Sequence, residues 1–348
     1  MNQKKQQKTT LRQIAERAGV SLGTASNVFA NKPGVAASTR QMVLSIASEL
    51  GYQSAHDLFP GIAQSSPITA LGFVVRALPA PLSSNTFYLY VLHGMEEVCR
   101  EHGISLMYAS IDENAKGIEQ LPAMLQQKQI QGLLVVGYFH PSFFALLQSL
   151  DLPFVTVDHY LDSLQVDSVV TDDEQGAYMA TKYLLEHVQN PVPAIISDLH
   201  SHASIYNRWR GYRRALSERQ LLYDERYDYQ GFQGDSFVNK SMRAMLQLET
   251  PPNAIFCCGD AMAMDALKAL QDCGIAVPEA CALIGFDDLP MTSHTTPALT
   301  TMKVDIELLG KEGTRSLLER VKHPAMTTRR TVISVQLIER ASVSQKTR

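Results

Sequence analysis

Over the first fifty residues, apolar positions recur every third or fourth place. Leu11, Ile14, Ala15 and Ala18 share one helical face, Ala25, Val28 and Phe29 a second, and Val43, Ile46, Ala47 and Leu50 a third. The residues between them suit helix ends. Thr10 and Gln13 have capping-box spacing, Gly19 stops the first helix, and Ser21 can cap the second. Asn31 to Gly34 reads as a loop, Ser38 and Gln41 repeat the capping spacing, and Gly51 ends the third helix. Three short helices around one small core, with Ala18-Gly19-Val20 as the tight turn, predict a helix-turn-helix. Its second helix would lie in a DNA major groove. Periodicity alone also allows a small bundle that docks protein.

From Ala70 the pattern changes to short apolar runs that alternate with amphipathic segments. The first series is ALGFVV (70–75), SLMYAS (105–110), GLLVVG (132–137) and PFVTVD (153–158). The second is SVVTDD (168–173), PAIISD (193–198), AIFCCG (254–259) and CALIGFDD (281–288). Strand–helix alternation predicts parallel sheets with helices on both faces, and two series predict two lobes. Ligands in such sheets sit at the carboxyl ends of the strands, so two facing lobes make a cleft.

Charge sharpens this division. The net charge of −4 is uneven: residues 1–60 hold seven lysines and arginines against three acids, leaving −8 for the rest. A basic head on an acidic body suits a head that meets a polyanion. The chain is 45 % apolar and 19 % charged, which suits globular domains, and 348 residues are enough for two or three of them. No apolar run reaches the roughly 18 residues of a membrane helix, so no membrane partner is expected. The lysines of MNQKKQQKTT precede no apolar stretch, so no secretory signal is predicted. Cys99, Cys257, Cys258, Cys273 and Cys281 show no metal spacing and suit reduced thiols in a cytoplasmic protein. No Gly-rich phosphate loop, GxSxG elbow or HExxH helix is present, and no nucleophile–base pair stands out. No enzyme, metal or cofactor is expected. His200-Ser-His202 is the nearest thing to a metal pair.

AGVSLGTASNVFAN followed by VAASTRQMVLSIASELGY resembles the N-terminal pattern of the lactose-repressor (LacI/GalR) family of bacterial regulators. PFVTVDHY, DDEQGAYMATKYLL, NRWRGYRRAL, AIFCCGDAMAMDALKAL and CALIGFDDLPMTSHTTPALTTMKVD extend the resemblance over nearly the whole chain. They look like that family's effector-binding core, which is similar to periplasmic sugar-binding proteins. The resemblance implies an all-α helix-turn-helix headpiece (1–52), a hinge or linker (53–67), a two-lobed α/β core of parallel sheets (68–341) and a tail (342–348). Three crossings between lobes are implied near residues 160, 290 and 323. Lobe 1 would then hold about 68–160 and 290–322, and lobe 2 about 161–289 and 323–341.

By the same resemblance, base-contacting residues fall at Leu22, Gly23 and Asn27, and phosphate contacts at Thr10, Ser21, Thr24, Ser26 and Arg40. Asn27 stands where an arginine is usual. Arginine favours guanine and asparagine adenine, so an operator unlike the family's common one is expected. The hinge also departs. GYQSAHDLFPGIAQSSP lacks the usual proline-asparagine pair and carries Pro60-Gly61 inside the expected helix, where proline costs about 3 kcal/mol. The segment reads either as a shortened helix with Leu58 as a minor-groove wedge or as a plain linker.

Effector positions implied by the match are Phe87, Tyr88, Asp158, Ser204, Arg208, Phe232 and Asp287. Arg208 can hold a hydroxyl pair or a carboxylate in its planar fork, and Asp287 can accept from a hydroxyl or ring nitrogen. A structural salt bridge is the other reading of these two, and core packing that of the three aromatics. Gly259 and Val304 replace polar residues common in the family, which suits a ligand less hydroxylated than a hexose. Asp260 is expected to cap the helix AMAMDALKAL. The reading as a whole is a cytoplasmic repressor, a homodimer on a near-palindromic operator, controlled by a sugar-like effector. A solute-binding protein is the alternative.

Overall fold

The computed structural model describes residues 10–29, 35–50, 68–77, 85–112, 115, 117–197, 202–231 and 237–344. The chain forms two compact units, Met1–Ile68 and Thr69–Arg348.

The first unit contains α1 (Leu11–Arg17), α2 (Leu22–Phe29) and α3 (Ala37–Glu49). The expected capping box is present. The Thr10 side chain accepts the Gln13 N–H, and the Gln13 amide oxygen accepts the Thr10 N–H at 2.8 Å. Gly19 takes a φ of +63°, a left-handed conformation suited to glycine, and so ends α1. Ser21 Oγ accepts the Thr24 N–H at 3.0 Å and starts α2. Ser38, expected to cap the third helix, lies inside it instead, because α3 already begins at Ala37. Ile14, Ala15, Ala18, Ala25, Val28, Val43 and Ala47 form the core, with Leu11, Ile46 and Leu50 packed against it.

The second unit has two lobes, each built on a six-stranded sheet. In chain order it runs β1 (Ala70–Arg76), α4 (Thr86–Glu101), β2 (Ser105–Ile111), α5 (Ala123–Gln126), β3 (Leu133–Val136), α6 (Pro141–Gln148), β4 (Phe154–Val157) and β5 (Asp167–Thr171). It continues with α7 (Asp173–His187), β6 (Pro193–Ser197), α8 (Ala203–Glu218), β7 (Asp228–Gln230), α9 (Phe237–Leu246), β8 (Ala254–Cys257), α10 (Asp260–Asp272) and β9 (Ala282–Asp287). Last come β10 (Thr300–Lys303), α11 (Ile306–Lys322), β11 (Arg330–Ile333) and β12 (Gln336–Ile338).

One sheet has the order β11-β5-β4-β3-β1-β2, all parallel; the other is β12-β10-β9-β8-β6-β7, parallel except for β12. The central strands β3, β4 and β8 are buried throughout, which is why they read as unbroken apolar runs. Strand order reverses between β1 and β3 in the first sheet and between β6 and β8 in the second. Doubly wound sheets bind their ligands at such points.

The crossings differ from expectation. β5 pairs with β4 in the first sheet, so the chain does not leave lobe 1 near 160. It leaves at Asp172, after which α7 packs on α8 and on the second sheet. β10 stays beside β9 in lobe 2, and the return comes at Val304–Asp305 rather than near 290. The last crossing follows β11, at Ser334–Val335, rather than near 323. Parallel neighbours usually need a helical crossover. Here two pairs, β4–β5 and β9–β10, are joined without an α-helix between them. The crossings implied by the resemblance therefore fall too early.

Candidate functional site

In the headpiece, α2 presents Leu22 (52 % exposed), Gly23 and Ser26 to solvent, with Asn27 half-buried beside them. The Ser21 and Thr24 hydroxyls bond to each other at 2.8 Å. Thr10 is exposed and engaged in its capping box. Arg40 is half-buried, and its Nη1 donates to the Val28 carbonyl at 3.2 Å, tying α3 to the last turn of α2. The expected phosphate contact thus also fixes the angle of α2. Leu58 lies outside the described residues.

Between the lobes, the site is built on one face of α8. Ser204, Ile205, Arg208, Gly211, Tyr212 and Ala215 fall at helical spacing and are buried, which carries the Arg208 guanidinium inward with its apolar neighbours. Nε donates to Asp173 Oδ1 at 2.8 Å, and Nη1 to the Cys258 carbonyl at 2.6 Å and to Asp287 Oδ1 at 3.3 Å. The guanidinium also lies 3.8 Å over the Phe286 ring. Arg208 thus presents no free planar fork: its Nε and Nη1 are engaged within the protein. The salt-bridge reading of Arg208 and Asp287 holds. A charge this buried is costly unless its hydrogen bonds are met, and here they are.

Asp173 supplies the shortest carboxylate bond to Arg208, yet its sequence gave no sign of it. It is the first residue of α7, where an acid is favoured by the helix N-terminus. Pairs of acids at helix starts are too common to mark a site.

The lobe 1 side is Asp158-His159-Tyr160, directly after β4. Asp158 is buried at a φ of +63°. Its Oδ2 accepts from the Tyr88 hydroxyl at 3.4 Å and lies 3.5 Å from His202 Nε2, while Oδ1 is buried without a partner. His159 Nδ1 accepts the Ala203 N–H at 3.3 Å, and Asn207 donates to the Tyr160 hydroxyl at 3.2 Å. Together these bonds tie the end of β4 to the start of α8, lobe to lobe. Ser204 Oγ bonds to His202 Nδ1 at 2.7 Å, and Ser197 Oγ, at the end of β6, is buried without a partner. Phe87 is half-buried and meets Tyr88 edge-on, with ring centres 5.7 Å apart. Phe232 and His200 lie outside the described residues.

Burial, then repulsion by Asp173, pushes the Asp158 carboxyl well above the usual range. Asp173 and Asp287 are raised first by burial, with the Arg208 charge opposing. Burial pushes His159 down to about 4 and His202 well below its usual value, so both rings are neutral near pH 7. Asp260 does not cap its helix. Gly259 is the cap residue, and the buried Asp260 carboxylate accepts from Thr301 Oγ1 at 2.6 Å and from the Leu289 N–H at 2.8 Å. It ties the loop after β9 to β10. Among the described residues, His93, Glu97 and Glu307 form a cluster with metal-ligating side chains, but Glu97 is held by Lys311 at 2.9 Å.

Residues 10–54 match the bacterial regulatory proteins of the lacI family, and residues 182–343 match a periplasmic binding protein-like domain. An HTH-type transcriptional repressor PurR of Aliivibrio salmonicida is 30 % identical over 339 residues, spanning 93 % of this chain and 98 % of that one. The chain belongs to the lacI family. Among other lacI-family relatives, a ribose operon repressor of Haemophilus influenzae is 27 % identical over 96 % of this chain and 98 % of its own. The solved complex of the transcriptional regulator CelR with cellobiose superposes with a TM-score of 0.72 at 27 % identity, over 96 % of this chain and all (100 %) of that one. A lac repressor dimer bound to operator shares the fold, with a TM-score of 0.67 at 22 % identity over 97 % and 99 % of the two chains. These lacI-family relatives are regulators rather than enzymes. Among the described residues, no helix is long and apolar enough to cross a membrane.

Proposed function

We propose that the chain is a ligand-controlled transcriptional repressor. Two copies read a near-palindromic operator through their headpieces, and a small sugar-like molecule between the lobes sets DNA affinity. One observation carries this reading: buried polar atoms at or just past the carboxyl ends of β4 and β6, Asp158 Oδ1, His159 Nε2 and Ser197 Oγ, have no partner in the cleft. Buried polar groups nearly always find partners, and a ligand would supply the missing ones. Repressor function is the role named for the relatives, and ribose and cellobiose appear in the names of two of them. Leu22, Gly23 and Asn27 lie at the base-contacting positions, though Gly23 has no side chain with which to read a base, and Thr10, Ser21, Thr24, Ser26 and Arg40 contact phosphates. With Asn27 at the recognition position the operator favours adenine over guanine there.

Fluorescence anisotropy tests this on DNA from upstream of the protein's own coding sequence against scrambled DNA, at two salt concentrations. Selective binding that Asn27→Ala weakens, at a cost of about 1–3 kcal/mol, fits the reading. Equal, equally salt-sensitive binding to both DNAs, unchanged by a metabolite pool, overturns it.

A further inference from the structure

We propose that His93, Glu97 and Glu307 form a site for a divalent cation of the zinc class, on the seam between α4 and α11 in lobe 1, with the Lys311 ammonium holding the place that the metal takes. Among the described residues, these are the one group of three metal-ligating side chains whose ligand atoms all lie within 4.8 Å of one another. His93 and Glu97 stand one turn apart on α4 and so share a face. Glu307 lies in the first turn of α11, 214 residues beyond His93 in sequence. A close approach of the two helices brings it there. A Cβ on Gly94 would collide with the Glu307 carbonyl oxygen, and one on Gly310 with that of Val91. Backbone contact, not the three side chains themselves, thus fixes the distance across the seam.

The donor set suits that class of ion. His93 Nδ1 and Glu307 Oε1 lie 3.2 Å apart. Two ligands at about 2.0–2.1 Å from a tetrahedral zinc are about 3.3 Å apart, so the pair already has the spacing of a shared metal. One imidazole with two carboxylates favours Zn2+, Co2+ or Ni2+ over Mg2+ and Ca2+, which prefer all-oxygen sets. Water can complete the coordination, since His93 is exposed and both glutamates are half-buried. A cation is already drawn into this corner. Lys311 Nζ lies 2.9 Å from Glu97 Oε2, and that hydrogen bond holds the Glu97 carboxyl below its usual range. Glu97 first, then Glu307 and Asp305, raise Lys311 in return. A partly exposed ion pair of this kind is weak, and the flexible lysine stem can swing out to water. A divalent ion in its place bonds all three side chains at once. Bound there, it would staple the first turn of α11, which directly follows the Val304–Asp305 passage, to the helix that carries Tyr88.

Isothermal titration calorimetry of the EDTA-treated full chain with ZnCl2 tests this. The parent should bind Zn2+ with a Kd on the order of 10 μM. His93→Ala and Glu307→Gln should each weaken that binding on the order of tenfold or more. Lys311→Met removes the competing ammonium and should tighten it about threefold or more, a gain that misfolding cannot produce. Because the ligands come from distant parts of the chain, the site exists only in the folded protein. Zn2+ should therefore raise the melting temperature of the parent but not of His93→Ala. No binding by the parent at about 100 μM Zn2+ overturns the proposal. So does binding that appears only once Lys311 is removed, which would make the lysine the resident cation, and so does equal or weaker binding by Lys311→Met. Binding that His93→Ala and Glu307→Gln both leave intact places the metal elsewhere and overturns it too. None of these outcomes depends on the repressor reading.

Discussion

Arg208 is held by partners that arrive from three separated parts of the chain, α7, the end of β8 and the end of β9. Removing it strands Asp173 and Asp287 without their counter-charge, so Arg208→Ala should cost about 3–5 kcal/mol in urea unfolding of the core. A loss under 1 kcal/mol would mean that the carboxyls simply protonate. His159 gives a pH signature. Its folded value of about 4 lies below the ordinary 6.5, so its stabilising contribution is complete above pH 6.5 and is lost as the pH falls toward 4. Asp158, Asp173 and Asp287 have raised values, so they favour folding at low pH and lose that contribution as pH rises. The two effects oppose each other in one window. His159→Phe, which keeps the stack on Phe144, should flatten the acid-side loss by about 1.4 kcal/mol per pH unit in denaturant titrations at pH 6.5, 5.5 and 4.5. An unchanged slope would place the loss elsewhere, with His202 the next candidate.

Among elements, the closest approach that serves the site is that of α7 to α8. A Cβ on Gly211 would lie 2.2 Å from the Glu174 carbonyl oxygen, so only glycine lets the helices meet there. Gly211 stands three residues beyond Arg208, and Glu174 follows Asp173. Gly211→Ala should push the helices apart, cost about 1–3 kcal/mol and weaken any ligand-induced rise in melting temperature. A variant as stable and as responsive as the parent would refute this.

The elements also show what the sequence could express. The eight apolar runs became β1 to β6, β8 and β9, and the headpiece faces became its core. β7, β10, β11 and β12 carried no such signal. β7, β11 and β12 are short and mostly half-buried or exposed, so burial imposes no apolar pattern on them. In β10, Thr300 and Thr301 are fully buried but polar, their hydroxyls bonded to the Arg340 carbonyl and to Asp260. A threonine pair reads as a loop until its partners are known. Arg208, Asp158 and Asp287 were legible through family resemblance. Asp173, His159 and His202 were not, because their importance comes from a neighbour 35 to 44 residues away in sequence.

For the molecule as a whole, headpiece and core are separate compact units, each with its own apolar cluster. Calorimetry of the full chain should then show two transitions, a small one from the headpiece and a larger one from the core. Operator DNA should raise the first and a cleft ligand the second. A single transition that both additions shift alike would mean the two units melt as one. Three strands of chain join the lobes, at Asp172, Val304–Asp305 and Ser334–Val335, which suits rigid-body rotation about a hinge.

Those three passages also set the order of events on the ribosome. The headpiece emerges first and can fold while the rest is still being made. Neither lobe can follow suit, since one sheet awaits β11 and the other β12, both within the last twenty residues. A message truncated between residue 60 and β11 would therefore release a folded headpiece joined to two unfinished sheets, which on the proposed reading could occupy an operator but not answer an effector.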